Sequence, residues 1–122
     1  MEKVILDTNF LMIPYQFKVD IFSELDRIGP FKLFVLDKTV KELEKLAEHE
    51  KGKNKLAARL ALTFIKAKAL NIITALQDEY ADEALVRLSK EGYTIATQDI
   101  ELQKKIKKKI ILRQKKYLEL RE

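Results

Sequence analysis

Short apolar runs recur along this chain, and a polar or amphipathic stretch follows each of them. KVIL (3–6), FKLFVL (31–36), LNII (70–73), YTIAT (93–97) and IIL (110–112) carry almost no charge and are too short for helices. Such runs fit strands buried on both faces of a sheet. The stretches between them have helical spacing. VDIFSELDRIGP (19–30) places Ile21, Leu25 and Ile28 on one face, with Asp20 as cap and Gly29-Pro30 as stop. KTVKELEKLAEHE (38–50) turns Val40, Leu43 and Leu46-Ala47 inward. After a polar break at 52–55, Leu56, Leu60 and Phe64 recur every four residues and predict a further helix stripe. DEYADEALVRLSKEG (78–92) predicts a helix capped by Asp78 and ended by Gly92, with Ala81, Leu85 and Leu88 inward. DIELQKKIKKK (99–109) predicts a helix with Ile100, Leu102 and Ile106 only partly in register, and KYLEL (116–120) reads as an edge strand or as tail. Strands alternating with helices predict an α/β fold, a three-layer α/β/α sandwich around a mainly parallel sheet. No repeat or linker divides the chain, so residues 1–122 are expected to form one domain.

Composition narrows the chemistry. There are no cysteines and one histidine, His49, which removes thiol catalysis, disulfides and thiolate or histidine-rich metal sites. Any ion must be held by carboxylates, which favours Mg2+ or Mn2+. Three glycines leave no phosphate-cradling loop, and Ser23 and Ser89, the two serines, lie in no nucleophile elbow. No apolar run approaches membrane-spanning length, and MEKVILDTN does not read as a secretory leader; a cytoplasmic protein is expected. The net charge of +5 is uneven: residues 104–116 hold eight bases and no acid, leaving 5 − 8 = −3 on the rest. A basic segment on a mildly acidic body is a footprint of nucleic-acid binding, although a solvated helix and tail would look the same.

In a parallel sheet the C-terminal ends of the strands share one rim, where ligands bind. Asp7, Asp37 and Asp99 each follow a predicted strand. Asp37 and Asp99 also precede helices and fit as caps. Asp7 sits in Asp7-Thr8-Asn9, where Thr8 and Asn9 can orient the acid or hold a water. On the helices, Glu42 completes a capping box with Thr39, while Asp82 lies beside the inward Ala81 and Leu85. Gathered carboxylates repel and are costly without a cation.

These segments resemble the PIN-domain nucleases. VILDTNFLM is similar to the family's opening strand and first acid, DKTVKELEKL to its second segment, and ADEALVRLSKEGYTIATQDIEL to its third, with the Thr-x-Asp turn at Thr97 and Asp99. The resemblance spans nearly the whole chain. It implies Mg2+- or Mn2+-dependent cleavage of RNA, with Asp7, Glu42, Asp82 and Asp99 as catalytic metal-holding acids and Asn9 and Thr97 in support. Gln98 stands where members often carry Asn. MIPYQFKVDIFSEL and GKNKLAARLAL resemble an archaeal branch related to factors that cleave precursor ribosomal RNA; toxin members of toxin–antitoxin pairs share the same core. The expected partners are RNA, a second copy of the chain, and an antitoxin or pre-ribosomal protein. Lys104, Lys105, Lys107, Lys108, Lys109 and Arg113 are the candidate contacts to the RNA backbone. The rival expectation is an RNA-binding scaffold without catalysis. A phosphoacceptor receiver would need an acidic pair after the first strand, and a dehalogenase-type phosphatase an Asp at position 9; this chain has Asp7 alone and Asn9.

Overall fold

The structure, a computed structural model, describes residues 1–122. Six strands form one sheet in the order β3-β2-β1-β4-β5-β6. They are β1 (Glu2–Leu6), β2 (Phe31–Leu36), β3 (Asn71–Ile73), β4 (Thr94–Ala96), β5 (Lys109–Arg113) and β6 (Tyr117–Arg121). The first five are parallel, and β6 returns antiparallel to β5. KYLEL is thus strand, not tail.

Alternation along the strands sorts the core onto two faces. Val4, Leu6, Val35, Ala96 and Ile110 pack with helices α1 (Thr8–Leu11) to α5 (Gly52–Ala67). Ile5, Phe34, Leu36 and Ile95 pack with α6 (Ala81–Lys90) and with Leu102 of α7 (Ile100–Gln103). Burial on both faces explains the apolar runs of β1, β2, β4 and β5, whereas β3, at the sheet edge, is largely exposed, with Ile72 open to solvent. The layers are α/β/α, as expected. No helix is long and apolar enough to cross a membrane.

Local chemistry explains most boundaries. Asp20 caps α3 (Ile21–Ile28) by accepting from the N–H groups of Phe22 and Ser23, each at 3.1 Å. Glu24 and Arg27 of α3 then reach the open edge at β6. Glu24 accepts from the Leu118 N–H at 2.9 Å and Arg27 donates to the Leu118 carbonyl at 2.9 Å, which occupies backbone groups that would otherwise pair with another chain. Gly92 ends α6 with φ +104°, a conformation that favours glycine.

Three expectations need correction. The buried stripe of α5 is Ala57, Ala58, Ala61 and Ile65, while Leu56 is exposed and Leu60 and Phe64 are half-buried. Small residues let α5 lie close against α4 (Asp37–His49), and the larger side chains flank that contact. Asp78 does not cap α6: the helix begins at Ala81, and Glu83 accepts from the Tyr80 N–H at 2.8 Å. Residues 99–109 are not one helix. Helix α7 stops at Gln103 after a single turn, and Lys109 already lies in β5. Side-chain bonds fold the intervening turn: Gln103 donates to the Thr97 carbonyl at 2.9 Å, and Ser89 Oγ accepts from the Lys107 N–H at 3.1 Å. Leu102 and Ile106 are both buried, on either side of the point where the helix stops.

Thr39 lies inside α4, nearly fully buried, with no hydrogen-bond partner for its hydroxyl. Removing such a group while keeping the shape lifts a desolvation cost. Thr39→Val is expected to stabilise the protein by about 1 kcal/mol, raising Tm by roughly 3–5 °C in a thermal melt.

Candidate active site

The order of the strands creates the site. The chain builds outward from β1 through β2 to β3, then crosses back to lay β4 on the other side of β1. The carboxyl ends of β1 and β4 therefore flank a topological switch point, where a crevice opens in this class of sheet. Asp7 follows β1 there, and Thr97 and Asp99 follow β4. The backbone N–H of Asp7 donates to the Ala96 carbonyl at 2.9 Å, so the sheet register itself fixes the first acid.

The Asp7 side chain is buried, 8% exposed. Its Oδ1 accepts from the Thr8 N–H at 2.8 Å, capping α1, and its Oδ2 accepts from the Thr97 hydroxyl at 2.8 Å. Thr97, fully buried, also accepts from the Asp99 N–H at 3.0 Å. One hydroxyl thus ties Asp7 to the turn carrying Asp99. Asp99 Oδ1 caps α7 through the N–H groups of Glu101 and Leu102, while Oδ2 accepts nothing from the chain. The capping role and a place in the site coexist, on different oxygens.

Glu42 arrives from α4. The capping box with Thr39 does not form, because the helix already starts at Asp37 and Thr39 is interior. Instead Glu42 Oε1 accepts from the Thr8 hydroxyl at 2.8 Å. Asp82 stands in the first turn of α6, exposed yet facing the same cleft. Asp7, Glu42, Asp82 and Asp99 thus line one cleft of about 250 Å³, together with Asn9. Asp37 is elsewhere: its Oδ1 accepts from the N–H groups of Lys38 and Ala75 and secures the loop after β3.

Burial raises the pKa of Asp7. The bonds from Thr97 and Thr8 pull it back, and the charges of Asp82 and Glu42 push it up again. A cation among these groups would reverse the sign of that repulsion. The donors are all carboxylate oxygens, which suits a hard divalent ion. No three of the acids stand close enough to form a closed cage. An ion held there by one or two of these carboxylates would complete its shell with water, as Mg2+ commonly does.

Asn9 and Gln98 clasp the two loops. Asn9 Oδ1 accepts from the Gln98 N–H at 3.0 Å, and the Gln98 amide donates to the Asn9 carbonyl at 2.9 Å. The longer Gln98 side chain is spent on backbone and does not reach into the cleft as a free donor. The basic run is divided. Lys104 pairs with Glu101 at 3.4 Å, Lys108 with Glu2 at 3.3 Å and Glu122 at 3.5 Å, and Arg113 with Glu119 at 3.3 Å. Lys109 donates to the Gln103 carbonyl at 2.7 Å. The side chains of Lys105 and Lys107 alone of the six meet neither a carboxylate nor a carbonyl, and both line grooves beyond the cleft.

Sequence reasoning placed Thr8 beside Asp7 but not against Glu42, and it missed Lys90. Thr8 holds Glu42, and the only hint was its place beside Asp7. Lys90 lies outside the basic run, but it follows Asp82 by eight residues, two turns along one stripe of α6.

A parallel α/β/α sandwich that gathers carboxylates from strand ends and two helices at its switch point has the architecture of an acid-cluster nuclease. A PIN-like domain family model matches residues 4–115, and the chain belongs to this family. Ribonuclease VapC4 of Methanocaldococcus jannaschii is 38% identical over 130 residues, covering 98% of this chain and 97% of that protein. Ribonuclease VapC9 of Archaeoglobus fulgidus is 37% identical over 108 residues, covering 86% and 76%. The solved PIN domain endonuclease Utp24 superposes with a TM-score of 0.75 at 23% identity, over 97% of this chain and 90% of that one, and shows the same fold.

Thr97→Val would leave the buried Asp7 carboxylate without its hydroxyl donor and the Asp99 N–H without its acceptor. A loss of about 1–3 kcal/mol in denaturant unfolding is expected, with Thr97→Ser close to the parent. An unaffected Val variant would remove Thr97 from the centre of the site.

Proposed function

We propose that the chain is a divalent-metal-dependent endoribonuclease that hydrolyses RNA phosphodiester bonds, with Asp7, Glu42, Asp82 and Asp99 holding Mg2+ or Mn2+. The observation that carries this reading is the convergence of four carboxylates from four elements on one cleft at the switch point. Two ribonucleases among the relatives support RNA as the substrate.

Asp7 is anchored through both oxygens, Glu42 and Asp99 through one each, and Asp82 through neither, so each keeps lone pairs for the cleft. Thr97 and Thr8 orient Asp7, Thr8 orients Glu42, and Asp99 is oriented by the helix it caps. Fixed ligands of this kind need little reorganisation when charge develops on the phosphate. A divalent ion held by these acids would supply a water of lowered pKa and would offset phosphate charge. The chain's own contribution is orientation: Asn9 and Gln98 keep the two loops together, so the acids from β1 and β4 stay in register. No histidine takes part. RNA is the partner on this reading, in the cytoplasm, with a homodimer and an antitoxin-like or pre-ribosomal protein as further partners. The cellular role is ribosomal RNA maturation or toxin activity. Growth arrest relieved by a small neighbouring gene marks the toxin, and unprocessed ribosomal precursor after deletion marks maturation.

Asp7→Asn is expected to lower cleavage by at least about a thousandfold while the circular dichroism spectrum is unchanged. Mn2+ should raise the Tm of the parent protein, since a ligand that binds only the folded state stabilises it by about 2.7 kcal/mol at a hundredfold its Kd. Asp7→Asn should lose most of that rise. Undiminished cleavage by the variant, or cleavage in EDTA, would sink the assignment.

A further inference from the structure

The acid cleft does not end at the acids. Asp82 and Asp99 also form one end of a larger groove, of about 400 Å³, that runs between α6 and α7. Its far end carries Lys90 and Lys105, and these two residues belong in turn to a third hollow of about 260 Å³ with Lys107 and Lys108. Shared lining residues make the three depressions continuous. The path follows α6, whose 10 residues span about 15 Å. It leads from the carboxyl rim of the sheet towards the opposite edge, where Lys108 meets Glu2 at the start of β1.

Charge changes sign along the path. The cleft holds four acids and no base. The far hollow holds four lysines and no acid. In the groove between, the acids other than Asp82 and Asp99 are occupied: Glu83 accepts from the Tyr80 N–H and Glu101 pairs with Lys104. Arg87 is likewise held by Glu79 and Glu91, at 2.8 and 3.0 Å, and serves as wall. Lys90, Lys105 and Lys107 have no carboxylate partner. Their neighbours Lys104 and Lys108 are neutralised by Glu101, Glu2 and Glu122. Three unpaired ammonium groups converge on one hollow from two separate segments, α6 and the turn after α7.

Resting on the endoribonuclease reading, we propose that this hollow seats the phosphates of the RNA strand a few nucleotides from the cleaved bond, with Lys90, Lys105 and Lys107 as the contacts. The substrate enters on the α6 side of the cleft. Its scissile phosphate sits among the acids, where its charge needs a cation, and the adjoining backbone descends towards a surface that already supplies one. The contacts are point charges on flexible stems, so they position a strand without reading its bases. Both features suit single-stranded RNA.

The test separates the hollow from the acids. Binding of a labelled single-stranded oligoribonucleotide is measured by fluorescence anisotropy in EDTA, from about 50 to 200 mM salt. The triple variant Lys90→Gln/Lys105→Gln/Lys107→Gln is expected to bind more weakly. Its slope of log K against log salt should be shallower by about 2, the change for three lost contacts to a single strand. The control Lys53→Gln/Lys55→Gln/Lys66→Gln removes the same charge from α5, on the other side of the sheet, and should keep the parent slope. Equal slopes for the two variants, with both folded by circular dichroism, overturn the hollow whatever the cleavage rates. Undiminished Mn2+-dependent cleavage by Asp7→Asn overturns the acid assignment whatever the slopes.

Discussion

A single hydroxyl carries the site. Thr97 Oγ1, fully buried, donates to Asp7 and accepts from the N–H of Asp99. Its backbone N–H donates to the Ile110 carbonyl of β5, and its own carbonyl accepts from Gln103. One residue thus joins the end of β1, the end of β4, the neighbouring strand and the single turn of α7. A hydroxyl is the group that can do this, because it offers one proton and also accepts. A carboxylate here would face Asp7 with like charge, and an alkyl group would leave both partners unpaired in a dry setting. The parallel register brings Asp7 and Thr97 side by side, and the hydroxyl turns that adjacency into a fixed orientation.

Placing Asp7 there has a cost, visible in the upward shift of its pKa by burial and by the charges of Asp82 and Glu42. The shift has a definite sign for stability. A carboxyl whose folded pKa is raised loses favourable free energy as pH climbs from the unfolded value through the folded one, and the loss then persists at neutral pH. The fold tolerates this because the surrounding core is ordinary: apolar layers on both faces of the sheet and a protected edge at β6. A divalent cation beside Asp7 would offset this repulsion.

The strands, though not their order in the sheet, were legible because a parallel sheet buried on both faces leaves unbroken apolar runs, and VIL-Asp7 shows such a run ending in an acid. Glu42 was less legible. Thr39 three residues before it mimics a capping box, and only the structure shows that α4 starts two residues earlier and that Glu42 turns to Thr8 instead. The stripe of α5 was misread because leucines at every fourth position outweigh alanines in any hydrophobic count, whereas close helix packing selects the alanines. Residues 99–109 were misread because a lysine-rich stretch has good helix propensity. Here the bonds from the Gln103 amide to the Thr97 carbonyl and from the Lys107 N–H to Ser89 override it.

The basic segment shows why charge in sequence is a poor guide to charge in space. Residues 104–116 look like one block of eight bases, yet in the fold Lys104, Lys108, Lys109 and Arg113 each meet a carboxylate or carbonyl within the chain. What distinguishes Lys105 and Lys107 is not their neighbours in sequence but the hollow they line without any partner in the chain, and they are joined there by Lys90, which no local count would single out. Lys90 owes its place to the helix period. Two turns of α6 separate it from Asp82, so one stripe carries an acid at the cleft and a base at the hollow. A polyanion laid along that stripe would meet a region that binds it only through a cation and then a region that binds it directly. Cleavage position would therefore be set by the length of one helix, with no need for contacts to bases.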